Sequence, residues 1–122
     1  MTEILRGRCH CGAVEYDVTL DGPIAPLRCD CSLCARKGAL MVMVQKENFR
    51  LIKGADMLSL YQWNTKVAEH YFCRQCGVYT HHGRRRDPSQ YGVNLGCLDG
   101  VDVFAFKDVP VLKGSDLSVA SD

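Results

Sequence analysis

With 122 residues, 47% of them apolar, the chain has the length and composition of a single globular domain with one core. A net charge of +1 leaves no basic footprint for nucleic acid. The longest clearly apolar run, Ala39–Val44, is far too short to cross a bilayer, and Met1–Arg6 holds no sustained apolar leader, so a soluble cytoplasmic protein is expected.

Hydrophobic periodicity predicts strands almost throughout. Val14, Tyr16, Val18 and Leu20 alternate with Glu15, Asp17 and Thr19, the pattern of a half-buried strand. Asp21-Gly22-Pro23 and Pro26 then break the chain. A helical turn is expected only at Ser32–Lys37. Ala39–Val44 is apolar on both faces and reads as a central strand. Phe49–Lys53 and Met57–Trp63 read as two strands around a turn at Gly54-Ala55-Asp56. Val67–Phe72, Val78–His81, Tyr91–Leu95 and Val103–Phe106 complete the set, with turns at Asp87-Pro88-Ser89 and Asp99-Gly100. The expected fold class is all-β, made of small antiparallel sheets with few or no helices. The domain is expected over residues 5–113, with residues 114–122 a polar tail.

Of the eight cysteines, all but Cys97 fall into three tight clusters: Cys9-x-Cys11, Cys29-x-Cys31-x-x-Cys34 and Cys73-x-x-Cys76. In a reducing compartment such clusters read as metal sites rather than disulfides, and an i, i+2 bridge would close a strained ring. The spacings do not match the ferredoxin runs that hold iron–sulfur clusters. No βαβ pattern surrounds Cys73 and Cys76, as a thioredoxin-like redox pair would require. A structural zinc takes four protein ligands, whereas a catalytic zinc takes three and keeps one position open. The two pairs supply four thiolates and the triplet three, so two zinc ions per chain are expected.

Cys73-Arg74-Gln75-Cys76-Gly77 has the form of a zinc knuckle, with Gly77 able to take the positive φ that turns the backbone past a metal. As alternate residues of a strand, Cys9 and Cys11 would present both sulfurs on one face and turn His10 away. Cys11 and Cys73 lie 62 residues apart, so a shared metal would tie an early hairpin to a late one. Structural zinc in small domains contributes roughly 10–16 kcal/mol of apparent binding energy. That is comparable to the net stability of about 5–15 kcal/mol of a whole domain. For Cys29, Cys31 and Cys34 two readings stand. Either the fourth position is open, or Cys97, His70, His81 or His82 closes it. An open metal can deprotonate an incoming thiol and hold it beside an electrophilic carbonyl for carbon–sulfur bond formation.

Gly7-x-Cys9-His10-Cys11-Gly12-Ala13-Val14 and Cys29-Asp30-Cys31-Ser32-Leu33-Cys34, followed by Lys37-Gly38-Ala39, resemble the glutathione-dependent formaldehyde-activating enzyme family, which shares its domain with centromere protein V. The stretches His70–His82 and Val93–Asp99 resemble it too, and the likeness runs from about Gly7 to Val111 with all motifs in order. The resemblance implies small sheets of a β-tent type packed around a structural zinc held by Cys9, Cys11, Cys73 and Cys76. Cys29, Cys31 and Cys34 would hold a catalytic zinc. The family's reaction adds the thiol of glutathione to formaldehyde, giving S-hydroxymethylglutathione, and is classed in reverse as a carbon–sulfur lyase. No added segment stands out as a pocket for the glutamyl and glycyl arms.

Other residues invite less specific readings. Arg84-Arg85-Arg86 could clamp a carboxylate of a thiol peptide or form a solvated loop. Asn94 could touch a ligand or cap a turn. Cys97, between Leu95 and Leu98, reads as a buried inert thiol in an apolar strand. Tyr79 and His82 have the chemistry of proton donors, with no position implied. The functions to be separated are a carbon–sulfur lyase taking a small thiol and a small aldehyde, a non-catalytic zinc-stabilised binding module, and a thiol carrier.

Overall fold

The computed structural model describes residues 2–63 and 66–114. Ten strands follow in chain order: β1 (Thr2–Arg8), β2 (Glu15–Asp21), β3 (Arg28–Cys29), β4 (Met41–Gln45), β5 (Phe49–Lys53), β6 (Leu58–Tyr61), β7 (Glu69–Cys73), β8 (Tyr79–Gly83), β9 (Gln90–Asn94) and β10 (Val111–Leu112). One helix, α1, spans Ser32–Lys37. The protein is mostly β, as its alternation predicts. In β2, Tyr16, Val18 and Leu20 are buried while Glu15, Asp17 and Thr19 are half-buried. That inward face meets Val42, Val44, Val93 and Leu95 in a single apolar core.

β1, β2 and β5 form one antiparallel sheet, in which Gly7 lies opposite the fully buried Tyr16. Five strands form the second sheet in the order β4-β9-β8-β7-β6, all antiparallel. β10 and β3 make a short parallel pair. α1 starts where the Cys31 side chain accepts from the Cys34 N–H and ends at Gly38, which is left-handed at φ 64°. Arg36 and Lys37 in its last turn suit the negative end of the helix dipole.

The structure departs from the sequence expectations in five places. β4 is an edge strand, not a central one; its open edge is met at one point, where Met41 exchanges two backbone hydrogen bonds with Leu27, each 2.8 Å. β5 and β6 do not pair with each other. The chain passes through a 3-10 turn at Ala55–Met57 and carries them into different sheets. The run Val103–Phe106 is not a strand: Val103–Ala105 is a 3-10 turn whose start is capped by Asp102 Oδ1, accepting from the Phe104 N–H at 3.0 Å. Cys97 likewise closes a 3-10 turn, Leu95–Cys97, rather than sitting in a strand. β1 has no counterpart among the expected strands, because its outward Ile4 is 65% exposed and breaks the alternation. The expected tail at residues 115–122 lies outside the described residues.

β8 carries a bulge that matters for the site. Phe72 pairs with Tyr79 and Tyr71 with His81, so Thr80 is the extra residue. The bulge puts Tyr79 and His82 on one face of the sheet, together with His70, which pairs with His82.

Candidate metal centres

The first cluster is built from two turns. β1 ends at Arg8 and the chain reverses at once, with the Gly12 N–H donating to the Cys9 carbonyl at 3.2 Å. Cys9 and Cys11 therefore sit on a turn and not on a strand face, which corrects the expected geometry while keeping their sulfurs together at 3.7 Å. β7 ends at Cys73, and the Gly77 N–H donates to its carbonyl at 2.8 Å; Gly77 has φ 76°, as the knuckle requires. Backbone N–H groups of Gln75 and Cys76 point at Cys73 Sγ at 3.4 and 3.5 Å, and that of Val14 at Cys9 Sγ at 3.4 Å. Cys11 Sγ lies 3.7 Å from Cys73 Sγ. The sulfurs of Cys9, Cys11, Cys73 and Cys76 all fall within 4.8 Å of one another, so the four could hold one metal ion. His10 is exposed and not among them.

The second cluster is local. Cys29 ends β3, Cys31 caps α1 and Cys34 lies within it, and their sulfurs also fall within 4.8 Å of one another. Among the described residues no fourth Cys, His, Asp or Glu joins this group. The four side chains that could have closed it are engaged elsewhere. Cys97 Sγ faces the Tyr79 carbonyl at 3.5 Å. His81 is buried among Phe49, Tyr71 and Tyr91, ring centroids 4.3, 4.7 and 5.1 Å away. His70 accepts from Lys37 Nζ through Nδ1 at 2.8 Å, and His82 Nδ1 meets the Tyr79 hydroxyl at 2.6 Å.

Charge explains why these sulfurs call for a cation. Thiol groups of Cys31 and Cys34 bond to Cys29 and, against partial burial, hold it down at about 2, with further help from the N–H groups of Cys31 and Gly114. Its negative charge in turn pushes Cys31 and Cys34 up. One thiolate forms readily and the next two resist. A bound cation removes that conflict. In the first cluster the same division appears. Against burial, N–H groups of Val78 and Cys11 hold Cys76 at about 6. Cys11, despite a bond from the Ala13 N–H, is pushed up to about 11 by desolvation and by its neighbouring sulfurs.

Gly114, expected in the polar tail, lies instead against the second cluster. β10 lies parallel to β3, the Asp30 N–H donates to the Leu112 carbonyl at 3.1 Å, and Gly114 is buried against the cluster. A Cβ at position 114 would come within 2.5 Å of Cys29 Sγ and 2.9 Å of Cys31 Cβ. Only glycine fits there. No sequence motif marks it, because its partner is more than eighty residues away.

Beside Cys29 and Cys34 opens a small cavity bordered by His82 and by Arg84, Arg85 and Arg86, with Met41, Met43 and Leu112 as its apolar wall. Behind His82 lies a polar network. His70 and His82 stack at 5.3 Å, Lys37 Nζ sits 3.7 Å over the Tyr79 ring, and Tyr79 Oη also lies 3.2 Å from the Gly92 carbonyl. Burial and then the Lys37 charge hold His82 well below its ordinary range and His70 at about 3, so both rings are neutral. Because the Lys37 ammonium can only donate, His70 carries its proton on Nε2. Asn94 does the plainer thing: it accepts from the Gly96 N–H at 3.0 Å and donates to the Tyr79 carbonyl at 2.8 Å.

Known proteins bear on this arrangement. The profile of the glutathione-dependent formaldehyde-activating enzymes matches residues 4–108. A Halomonas elongata protein that bears the family's name is 32% identical over 81 residues, which span 60% of this chain and 52% of the relative. The chain thus spans about half the length of that curated relative. The crystal structure of a Rhodobacter sphaeroides protein is 48% identical, with a TM-score of 0.83, covering 87% of this chain and 98% of its own. With the profile match running over most of its length, the chain belongs to the glutathione-dependent formaldehyde-activating enzyme family.

Proposed function

We propose that the protein is a zinc-dependent enzyme that adds a small thiol, glutathione or a similar one, to formaldehyde or another small aldehyde, and that the reverse reaction makes it a carbon–sulfur lyase. The observation that carries this reading is the three-sulfur cluster with no fourth donor among the described residues, placed at the edge of a cavity. The functional unit is residues 5–113 extended by Gly114, working in a reducing cytoplasm where its thiols stay free.

Both donor sets suit zinc. Tetrahedral zinc with sulfurs at about 2.3 Å requires sulfur–sulfur edges of about 3.8 Å, and Cys11 lies 3.7 Å from both Cys9 and Cys73 in the first cluster. Cys9, Cys11, Cys73 and Cys76 would hold a structural ion, and Cys29, Cys31 and Cys34 a catalytic one. When bound, that second zinc supplies Lewis acidity and lowers the pKa of a thiol that reaches it.

The addition is redox-neutral. The thiol S–H proton leaves, a carbon–sulfur bond forms at the carbonyl carbon, the C=O π-bond breaks, and its oxygen takes a proton. His82 is the titratable side chain on the cavity wall that can take up and return this proton. The Tyr79 hydroxyl at its Nδ1 fixes the ring. Neutral His82 is ready to accept a proton, and the deep burial that keeps it neutral makes it give the proton up again readily. Cys31 at the helix N-cap and Gly114 against Cys29 hold the donor sulfurs in place.

The test is metal content and spectroscopy together. Protein purified without chelator should carry two zinc ions per chain and no iron. In the cobalt-substituted protein, glutathione should change the thiolate-to-metal charge-transfer band, and NMR should show S-hydroxymethylglutathione forming faster than in buffer. One ion per chain, or a band indifferent to saturating thiol, would overturn the reading in favour of a purely structural module. Binding of thiol with no acceleration would make the protein a carrier.

A further inference from the structure

We propose that the outer edge of β6 is a self-association surface, on which β6 of a second copy of this chain pairs antiparallel and joins two five-stranded sheets into one.

The first support is a comparison of open edges. The two larger sheets end in β1, β5, β4 and β6. An open edge strand invites pairing with another chain, and charged residues along it are a common guard. β1 carries Glu3, Arg6 and Arg8, and part of its edge is taken, since the Asp99 N–H donates to the Arg6 carbonyl at 2.8 Å. β5 carries Arg50 and Lys53. β4 is met by Leu27. By contrast, β6 reads Leu58-Ser59-Leu60-Tyr61, with no charge, no proline and no bulge against β7. Among the described residues, no bridge or loop bond reaches this strand from its outer side. Leu60 and Tyr61 are each 48% exposed, as is Val67 beyond the strand end.

The second support is the parity of the backbone. The Arg74 N–H donates to the Met57 carbonyl at 2.8 Å, directly beyond the Leu58–Cys73 pair. Bonding positions alternate along an antiparallel ladder, so Ser59 and Tyr61 turn their N–H and C=O groups to β7. Leu58 and Leu60 turn theirs outward. A two-fold axis at Ser59 sets Leu58 of each copy opposite Leu60 of the other, and every outward group of the two leucines then finds a partner.

The third support singles out a second copy as the occupant. Pairing a strand with itself about a two-fold axis is self-complementary, one patch meeting the same patch. It also brings the start of one strand to the end of the other. The chain holds no charged residue between Asp56 and Lys66, both exposed, so the acidic end of one copy comes to the basic end of its mate. On one face, leucines meet leucines. On the other, Tyr61 borders a cleft of about 300 Å³ with Leu33, His70, Phe72 and Tyr79, and pairing sets two such clefts side by side. Two strands of 4 residues bury well under the about 1,600 Å² of a standard interface, so the dimer is weak and forms at raised protein concentration.

The experiment is sedimentation velocity of the protein as purified, from about 5 to about 500 µM, a range that brackets a weak dimer. Amide hydrogen exchange is followed by NMR at both ends of the range. Wild type should pass from monomer towards dimer. The Leu58 and Leu60 amides, open in the monomer, should gain protection in step with the dimer fraction, while those of Ser59 and Tyr61, already bonded to β7, should change little. Leu60→Pro removes an outward N–H that β7 does not use, and Leu60→Lys sets a charge on the edge. Each should weaken association by about tenfold or more. Ile4→Lys, which charges the exposed residue of β1, should leave it unchanged. A monomer throughout the range would overturn the inference. So would a dimer in which Leu58 and Leu60 stay unprotected, or one that Ile4→Lys weakens as much as Leu60→Lys, because another surface would then hold it. If a Leu60 variant fails to fold, exchange in the wild type decides alone.

Discussion

Replacing one cysteine in each cluster should separate the two metals by what each does for stability. Cys73 is fully buried, ends β7, and shares its site with a turn 62 residues earlier in the chain. A metal there closes a long loop that the unfolded chain would leave open. Cys29, Cys31 and Cys34 span six consecutive residues, so their metal closes almost nothing. Loop-closure entropy scales as (3/2)RT ln n, and the ratio of the two loops then corresponds to about 2 kcal/mol in favour of the first site. Cys73→Ser should therefore be at least that much more damaging than Cys31→Ser, a gap of about 8 °C in Tm for a domain of this size. Thermal melts by circular dichroism, with zinc counted in the same samples, provide the assay. Cys31→Ser should keep one zinc and a cooperative melt, and Cys73→Ser should be partly unfolded or insoluble at room temperature. If Cys31→Ser lowers Tm by as much as Cys73→Ser, or if Cys73→Ser melts cooperatively with two ions bound, the structural and catalytic roles are on the wrong clusters.

Gly114→Ala should lower zinc from two ions to one per chain, because its Cβ would press on Cys29 Sγ and Cys31 Cβ; two ions retained at wild-type affinity would refute the close approach. Cys97→Ala should keep both ions and cost about 1 kcal/mol in urea unfolding, since its sulfur meets the Tyr79 carbonyl, Asn94 and Tyr16; loss of an ion would make it a ligand. Burial holds His81 at about 3, far below the value of about 6.5 for an unfolded histidine. The unfolded state thus binds the extra proton, and stability falls as pH drops from 6.5 towards 3, by about 1.4 kcal/mol per pH unit for this ring. His81→Phe should flatten the slope of unfolding free energy between pH 6 and 4 by that amount, and an unchanged slope would mean that His81 is charged when folded.

The site was legible where it is local in sequence. Cys29, Cys31 and Cys34 share one turn of chain, and Cys73 and Cys76 one knuckle, so spacing alone marks them as groups that could hold a metal. β2 was legible because one of its faces is buried and alternation has one cause. Failures came where a distant partner decides. Ala39–Val44 reads as central because both its faces are apolar, but it lies at the sheet edge, where Leu27, a loop residue no periodicity can place, bridges to Met41. Gly114 is silent until β10 is seen beside β3. The bulge at Thr80 is the sharpest case. Strict alternation puts Tyr79 and His82 on opposite faces, and one extra residue reverses that. Without it, the hydroxyl would not reach His82 Nδ1.

The division of labour between the clusters follows from the size of the chain. A domain this small buries a limited core and gains much from a clamp between its sheets. The first cluster is placed as such a clamp, joining the turn after β1 in the three-stranded sheet to the turn after β7 in the five-stranded one. On the proposed function, that frees the second cluster from a stabilising role. It sits instead at an N-cap, with one side against Gly114 and the other towards a cavity edged by His82 and the arginines. On the proposed function, a fourth sulfur there would strengthen the metal and remove the position that a substrate needs. The strain of crowding three thiolates falls on residues fixed by backbone pairing rather than by long side-chain contacts, since the β3–β10 ladder and the α1 cap position all three. Loosening that ladder, by proline at Leu112 for example, should release the second zinc before it unfolds the sheets, and zinc release that coincides with global melting would show that the two centres are not separate after all.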